Sequence, residues 1–287
     1  NLDKCQLDCD RMVDNIRLIL KENHSNMMSF RLMNTAMFIQ LWHSKRSTNE
    51  ETNYDFYKEK ADDHLFGDKS AAWRPFQLAF ILLNLDGIIQ RSDDPEWKCR
   101  NELVDLVWFP TGGGKTEAYL GIIAFCILHG RLNHKKSGGT TAIMRYTLRL
   151  LATQQFQRAT RLILALESIR QWEGVDLGSD AINIGLYVGN DSLPNKEDDL
   201  KKEAEKWVED KPSKIPLNRH ECPWCGAQLK WNADDKKFAC TNAFCYHKGL
   251  PVLLCDEHVY KTPPTLLFGT VDKFAQIAHK VSPTKVK

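Results

Sequence analysis

The sequence has few of the features that would place a protein in a membrane or outside the cell. No apolar run approaches the ~18 residues that begin to indicate a transmembrane helix, and no signal peptide is visible. The nine cysteines do not follow a disulfide-like pattern, which favours a reduced, cytoplasmic compartment. We therefore expect no contact with a membrane.

A charge excess of either sign is also missing. The 287 residues carry 39 basic and 37 acidic side chains, so the formal net charge is +2. Whole-chain charge gives no argument for nucleic-acid binding, and any basic surface must be local. The length suits one large α/β domain or two smaller units. Because the chain starts at Asn1 rather than Met and stops in a lysine-rich tail, we expect a fragment or an incompletely ordered part of a longer protein.

The most informative segment is a glycine-rich loop over residues 110–116, Pro-Thr-Gly-Gly-Gly-Lys-Thr. It follows an apolar run over 103–109 that predicts a buried strand, and it precedes an apolar stretch of helical length over 116–128. This order is typical of a phosphate-binding loop, in which backbone N–H groups and a helix N-terminus hold phosphate oxygens. We expect Lys115 to reach the β- and γ-phosphates of ATP and Thr116 to hold Mg²⁺. The alternative is a glycine-rich turn before an ordinary helix.

Upstream of this loop, residues 73–77 read Trp-Arg-Pro-Phe-Gln and open a predicted helix. An Arg-Pro-aromatic-Gln element resembles the adenine-reading segment of superfamily 2 helicases, where the glutamine amide both donates to and accepts from the adenine edge. The alternative is a helix start with proline near its first position. Phe109 stands where the general loop motif has its first glycine, a departure that superfamily 2 helicases share. The nucleotide-binding candidates are Arg74, Gln77, Thr111, Gly112, Gly113, Gly114, Lys115, Thr116 and Glu117.

Two later strands end in residues suited to the sugar-phosphate backbone of a nucleic acid. A strand over 141–146 runs into Arg-Tyr-Thr-Leu-Arg, which offers a hydroxyl, helix-start N–H groups and a guanidinium to phosphates. A strand over 265–271 ends in a Gly-Thr turn with similar donors. The alternative for the first group is a basic helix start solvated at the surface. The nucleic-acid candidates are Arg145, Thr147, Arg149, Thr270 and Lys273.

Apolar periodicity predicts alternating strands and helices through the middle of the chain. The predicted order is helix 73–85, strand 103–109, helix 116–128, strand 141–146, helix 148–172 and strand 181–188. Successive βα units imply a parallel sheet with right-handed crossovers. Two helices, over 8–23 and 29–43, precede them, and the methionine stripe of the second is either a core face or a partner-helix face.

A cysteine module follows a charged segment that includes a solvated helix over 198–209. Its spacing is C-x2-C, fourteen residues, then C-x4-C, which suits tetrahedral zinc in a structural site. The predicted ligands are Cys222, Cys225, Cys240 and Cys245. Trp231 and Phe238 are expected to fill a small core beneath the metal. Two disulfides are the alternative, as is the replacement of one ligand by His220, His247 or Cys255.

Asp256 and Glu257 follow an apolar run and form a weaker candidate for the acidic pair that coordinates Mg²⁺. In superfamily 2 helicases the acidic motif comes after the Gly-Thr strand, whereas this pair precedes it. We therefore expect the acidic motif beyond Lys287.

These blocks together resemble the DrmA-like superfamily 2 helicases of DISARM anti-phage defence systems or their close relatives. The most specific block is Trp-Phe-Pro-Thr-Gly-Gly-Gly-Lys-Thr-Glu-Ala-Tyr-Leu-Gly over 108–121. The matching segments are 73–80, 108–121, 144–159, 184–189 with 194–195, the cysteine knuckle at 222, and 256–275. The resemblance implies an ATP-driven DNA translocase that works with a partner subunit. Residues 1–71 match nothing that we can place.

We therefore predict an α/β fold: an incomplete RecA-like P-loop domain with a parallel sheet, a helical N-terminal segment and an inserted zinc ribbon. The predicted boundaries are 1–71 for the helical segment and linker, 72–219 and 251–287 for the RecA-like domain, and 220–250 for the zinc ribbon. No second RecA domain or arginine finger is present, so we expect little or no ATP hydrolysis by this chain alone. The alternatives are a duplex-DNA translocase that does not separate strands and a nucleic-acid-binding scaffold with a regulatory nucleotide site.

Overall fold

The structure, a computed structural model, describes residues 2–21, 24–44, 72–89, 104–106, 114–135 and 138–275. These residues divide into two compact units. The first contains the described residues within 2–38 and 72–135, together with 176–178, and the second contains the rest.

The first unit is helical. Its elements are α1 (Leu2–Lys21), the first part of α2 (His24–Ser44), α3 (Pro75–Ile88) and α4 (Lys115–His134). These helices confirm the four helices predicted in this part of the chain, although α1 starts earlier and α4 ends later than expected. Met33 and Met37 of α2 are buried, so the predicted methionine stripe is a core face.

Helices α3 and α4 pack closely because Gly121 has no side chain. A Cβ added at Gly121 would lie 2.9 Å from the Trp73 ring and 3.0 Å from Ile81. The indole nitrogen of Trp73 in turn donates to Asn34 Oδ1 at 2.7 Å, which attaches this contact to α2. The start of α3 and the start of α4 are thereby brought near each other.

Of the strand predicted over 103–109, only residues 104–106 can be compared with the structure, and for them the prediction is wrong. Residues 104–106 form no strand, and Val104 and Leu106 are 94% and 86% exposed. A short apolar run does not by itself specify a strand, because the backbone also needs a neighbouring strand for its hydrogen bonds. The other positions of this prediction lie outside the described residues.

The second unit contains a parallel four-stranded sheet in the order β1-β6-β2-β5. Its elements in chain order are β1 (Ala142–Tyr146), α5 (Arg149–Arg170), β2 (Ile184–Tyr187), α6 (Glu197–Val208), β3 (Leu229–Asn232), β4 (Lys237–Cys240), β5 (Val252–Leu253), α7 (Asp256–Lys261), β6 (Leu266–Thr270) and α8 (Val271–Ala275). The predicted parallel sheet and the predicted elements within this unit are confirmed.

Strand β6 is one of the two inner strands of the sheet, and all five of its residues are buried. Helix α5 covers it, and the Phe156 ring meets Phe268 edge-on with centroids 6.0 Å apart. Gly269 lets the end of the strand pack tightly, since an added Cβ would lie 2.6 Å from both the Tyr187 carbonyl oxygen and the Phe274 ring. The glycine of the predicted Gly-Thr turn therefore has a packing role.

Glu167 fastens the connection between α5 and β2. Its carboxylate accepts hydrogen bonds from Arg170 Nη2 at 2.6 Å, from Arg170 Nε at 2.8 Å and from the Ile182 backbone N–H at 2.7 Å. Burial raises the pKa of this carboxyl, but the hydrogen bonds from Arg170 and Ile182 outweigh burial and hold it below its ordinary value.

The lowered pKa of Glu167 gives a prediction about pH. A carboxyl whose pKa is lower in the folded state stabilises the fold fully above its unfolded pKa, and the contribution is lost as pH falls through the folded value. Glu167→Gln should cost about 1–3 kcal/mol at pH 7 and much less at pH 3. Urea unfolding at several pH values measures this, with the exposed Glu173→Gln as control. An equal loss at both pH values would contradict the prediction.

Across the part of the chain that the structure describes, no helix has both the length and the apolar character that crossing a membrane requires.

Candidate nucleotide loop and metal centre

The end of the predicted phosphate loop lies at the N-terminus of α4. Gly114 is the N-cap residue and has a φ of +88°, a left-handed conformation that glycine adopts without strain. Lys115, Thr116 and Glu117 form the first turn of this 20-residue helix and are half-buried. The N–H groups and the partial positive charge at a helix N-terminus suit a phosphate. Thr111, Gly112 and Gly113 lie outside the described residues.

Gln77 connects this loop to the start of α3. Its amide nitrogen donates to the Gly114 carbonyl oxygen at 2.7 Å, and its amide oxygen accepts the Arg74 backbone N–H at 2.9 Å. The side chain is 5% exposed, and a Cβ added at Gly114 would lie 2.8 Å from its amide nitrogen. Gln77 and Arg74 are thus beside the loop as the sequence suggested, but in this structure the Gln77 amide bonds to protein. Its reading of adenine stays a prediction.

Three of the nucleic-acid candidates occupy the ends of neighbouring strands. Tyr146 of β1 pairs with Thr270 of β6, so the residues that follow them lie at one edge of the sheet. Arg145 and Thr147 are exposed, whereas Thr270 is 3% exposed. Arg149 is the first residue of α5. The edge offers a guanidinium and a hydroxyl to solvent, and its role toward nucleic acid stays a prediction.

Lys273, the fifth nucleic-acid candidate, is buried and paired with other residues of the second unit. It is 3% exposed, and its ammonium is 2.8 Å from an Asp256 carboxylate oxygen and 3.1 Å from Asn195 Oδ1. It also lies over the Tyr187 ring, 4.9 Å from the centroid. In this structure the Lys273 ammonium is paired within the protein, and its role toward nucleic acid stays a prediction.

The ion pair between Lys273 and Asp256 also bears on Asp256-Glu257, the weaker candidate for the acidic pair that coordinates Mg²⁺. Asp256 is 4% exposed and faces Lys273, and Glu257 accepts the Glu197 backbone N–H at 2.8 Å. Both carboxylates therefore hold parts of the fold together in this structure. This arrangement favours the expectation that the Mg²⁺-coordinating acidic motif is not Asp256-Glu257.

The four predicted metal ligands form one cluster. Cys222, Cys225, Cys240 and Cys245 are buried, and their sulfur atoms all lie within 4.8 Å of one another. Tetrahedral zinc with bonds of about 2.3 Å needs sulfurs ~3.8 Å apart, so the set fits this ion. Among the described cysteines none forms a disulfide, and the sulfur atoms of Cys225 and Cys240 are 3.4 Å apart.

Local backbone geometry shapes the first cysteine turn. The Cys222 N–H donates to the Ala227 carbonyl at 2.6 Å, and the Gly226 N–H donates to the Cys222 carbonyl at 2.9 Å. Gly226 has a φ of +74°, which lets the chain turn after the second thiol. Hydrogen bonds among the four thiols lower the pKa of Cys225 and Cys240 and raise the pKa of Cys222 and Cys245, because the thiols of one close-packed group share their protons.

The alternative ligands lie outside this cluster. His247 is 5% exposed, and burial lowers its pKa to about 4. Cys255 is the N-cap residue of α7, and burial raises its pKa to about 11. His220 contributes no atom to the four-sulfur group. The chemistry of the cluster is therefore that of four thiols.

The knuckle is anchored by an aromatic residue that sequence reasoning passed over. Trp224, between the first two cysteines, is fully buried and stacks on His43 with ring centroids 3.6 Å apart. The His43 ring nitrogen also contacts the Trp224 carbonyl oxygen, and Arg161 of α5 donates to the Pro223 carbonyl at 3.2 Å. The tryptophan in Cys-Pro-Trp-Cys is a local signal for an aromatic anchor. No local pattern identifies its partner, His43, which lies 181 positions away.

The small aromatic core that was predicted for the metal module is present. Phe238 is buried and its ring centroid lies 4.8 Å from that of Trp231. Trp207 of α6 meets Phe238 edge-on at 5.0 Å. The predicted surface helix over 198–209 therefore packs its apolar stripe against the hairpin of the metal module.

Comparison with known proteins supports the resemblance stated above. The chain is 38% identical over 301 residues to the DISARM protein DrmA of Bacillus paralicheniformis. The match covers 95% of this chain and 25% of that relative, so the chain spans about a quarter of the length of the relative. No protein-family model matches the chain. Over 95% of its length the chain is therefore DrmA-like.

Proposed function

We propose that the chain is part of a longer, ATP-driven superfamily 2 helicase or translocase that acts on DNA in anti-phage defence. The observation that carries the proposal is the left-handed Gly114 directly before Lys115 at the start of a 20-residue helix. Similarity to a DISARM protein supports the defence setting. Because the relative belongs to a defence system, we also propose that the protein works with a partner subunit.

In the nucleotide site, backbone N–H groups at the start of α4 and the Lys115 ammonium bind the phosphates. Thr116 holds Mg²⁺, and Glu117 lies one residue beyond it in the same turn. ATP and Mg²⁺ supply the phosphoryl group and its charge neutralisation. Gln77 positions the loop through Gly114, and it reads adenine if its amide turns from this contact toward the base.

In the proposed nucleic-acid site, Arg145 near the end of β1 and Thr147 and Arg149 just after it bind the phosphates of one strand. Thr270, which is buried at the end of the neighbouring strand β6, is the further candidate at this edge of the sheet. The metal is zinc, held by the four cysteines in a structural role, because four protein ligands leave no open position for substrate.

Two other functions have specific tests. A duplex-DNA translocase would displace a triplex-forming strand without separating a duplex, whereas a helicase would separate the duplex. A scaffold with a regulatory nucleotide site would bind ATP and DNA but hydrolyse nothing under any condition.

Nucleotide binding tests the site directly. A fluorescent ATP analogue should bind the full-length protein with Mg²⁺, and Lys115→Ala should weaken binding at least about tenfold, the loss of a charge-assisted hydrogen bond. Lys201→Ala, an exposed lysine on α6, is the matched control. Equal affinity in the wild type and Lys115→Ala would contradict the proposed role of this lysine.

A further inference from the structure

Two N-terminal helices hold α3 through polar side chains. From α1, Arg11 pairs with Asp86 at 2.9 Å, and Asn15 donates to a backbone carbonyl of α3 at 2.8 Å. From α2, Asn34 Oδ1 accepts a hydrogen bond from the indole nitrogen of Trp73 at 2.7 Å. The first two contacts lie in the C-terminal half of α3, whereas the third lies just before its first residue. Helix α3 is therefore attached near both of its ends to the helices that precede it in the chain.

The Asn34 amide is oriented by two hydrogen bonds. Its nitrogen donates to the Phe30 carbonyl oxygen at 2.8 Å, one turn earlier in α2, so its oxygen is the atom left to accept from the Trp73 indole. The Trp73 ring also lies against α4, where a Cβ added at Gly121 would approach the ring to 2.9 Å. Helices α2 and α4 thus both limit the movement of this ring.

The peptide group that follows Trp73 leads to the candidate nucleotide loop. Its N–H, which belongs to Arg74, donates to the Gln77 amide oxygen at 2.9 Å, and the Gln77 amide nitrogen donates to the Gly114 carbonyl oxygen at 2.7 Å. Gln77 is 5% exposed, so water competes little for these two bonds. Three hydrogen bonds therefore connect α2 to the N-cap residue of α4. We call this chain of bonds the α2 relay.

We propose that Asn34 and Trp73 are positioning residues of the nucleotide site. They hold the start of α3 so that the Gln77 amide stays on the Gly114 carbonyl oxygen, which keeps the start of α4 in the conformation that binds phosphate. Binding geometry tolerates only small displacements, so loss of one link weakens nucleotide binding although neither residue touches the phosphates. The inference deepens the nucleotide-binding function proposed above and rests on it. It gives α2 a role in that function, although no sequence motif in residues 1–71 indicated one.

A positioning role differs from ordinary packing in its dependence on Gln77. If Asn34 acts only by stabilising the helices, its replacement has the same effect whatever residue stands at position 77. If Asn34 acts through the α2 relay, its replacement has no further effect once the Gln77 amide is gone. Non-additivity of the two changes therefore separates the two roles.

A double-variant cycle on the full-length protein tests the proposal by binding of a fluorescent ATP analogue with Mg²⁺. Asn34→Leu removes the acceptor at nearly constant size and should weaken binding about fivefold, the usual effect of one neutral hydrogen bond. The matched control is Thr35→Val, which removes a hydroxyl whose hydrogen bond stays within α2, and it should leave binding unchanged. In a Gln77→Met background, Asn34→Leu should cause no further loss.

Amide hydrogen exchange of the same variants locates the effect without nucleotide. Asn34→Leu should speed exchange about fivefold over residues 74–78 and 114–118 and leave α5 unchanged, because the lost bond supports only the first two segments. Thr35→Val should exchange as the wild type does in all three segments.

Wild-type affinity in Asn34→Leu, or an equal loss of affinity with and without Gln77→Met, would overturn the proposal. If the wild type bound no nucleotide, the proposed function would fail, and the exchange pattern alone would decide on the relay. Acceleration confined to 74–78 and 114–118 would then support it, and uniform or absent acceleration would overturn it.

Discussion

Replacing Cys225 with serine is expected to remove most of the bound zinc and to destabilise the second unit by ~4 kcal/mol or more, in the range that metal loss typically produces. Structural zinc sites of this kind have apparent binding free energies of about 10–16 kcal/mol in small peptides, and that free energy is also folding free energy. Cys225 is one of four buried sulfurs within 4.8 Å of one another, so three remaining ligands hold the ion poorly.

The effect should extend beyond the knuckle, because a metal held by Cys222 and Cys225 would fix the position of Trp224, which lies between them. That side chain is fully buried and stacks on His43, while the neighbouring Pro223 carbonyl accepts a hydrogen bond from Arg161 of α5. Without the metal, the turn between Cys222 and Cys225 no longer holds the ring in this contact. Loss of zinc should therefore also loosen the contacts of the knuckle with His43 and Arg161.

Zinc content by mass spectrometry and thermal unfolding measure both parts of this prediction. The wild type should hold one zinc ion per chain, whereas Cys225→Ser and chelator-treated wild type should hold little and melt at a lower temperature. Cys5→Ser, which changes an exposed cysteine of α1, is the matched control. Unchanged melting of the Cys225→Ser variant would contradict a structural role for the metal.

The second large effect is expected from Lys273→Ala. Lys273 and Asp256 are 3% and 4% exposed, and their charged atoms are 2.8 Å apart. Removing one partner of a buried ion pair leaves the other charge uncompensated in a poorly solvated site, which costs about 3–5 kcal/mol. The pair joins the start of α7 to α8, so the loss should lower the cooperativity of the second unit.

A double variant separates loss of the pair from loss of packing. Lys273→Met with Asp256→Leu removes both charges, and it should be less destabilised than Lys273→Ala alone. Lys261→Ala, an exposed lysine of α7, provides the control in urea unfolding. If Lys273→Ala instead left stability unchanged and weakened DNA binding, the lysine would have the phosphate-binding role that the sequence first suggested.

Periodicity and spacing predicted most of the local structure. The apolar runs that became β1, β2 and β6 are bounded by polar or glycine-containing turns, and the long run that became α5 has helical spacing. The cysteine spacing predicted four ligands that the fold brings together. These signals are local, so a single sequence carries them.

The contacts that determine what each side chain does were less visible. Lys273 follows the Gly-Thr end of a strand and resembles a phosphate ligand in the sequence, whereas its neighbours in the structure are Asp256 and Asn195. Gln77 was identified as a nucleotide residue, but nothing local indicated its bond to Gly114. Such pairs are separated by many residues, and only the folded chain brings their atoms together. The same holds for the exposed Val104 and Leu106, whose apolar character alone suggested a strand.

The measurement that tests the account most directly is ATP hydrolysis by the full-length protein. It should be compared with and without single-stranded DNA, duplex DNA and RNA, and with Lys115→Ala and Lys201→Ala variants. We expect a DNA-stimulated rate that Lys115→Ala lowers at least about a hundredfold and that Lys201→Ala leaves unchanged, because phosphoryl transfer depends on charge stabilisation at the phosphates. Hydrolysis that persists in Lys115→Ala, or no hydrolysis with any nucleic acid, would contradict the account.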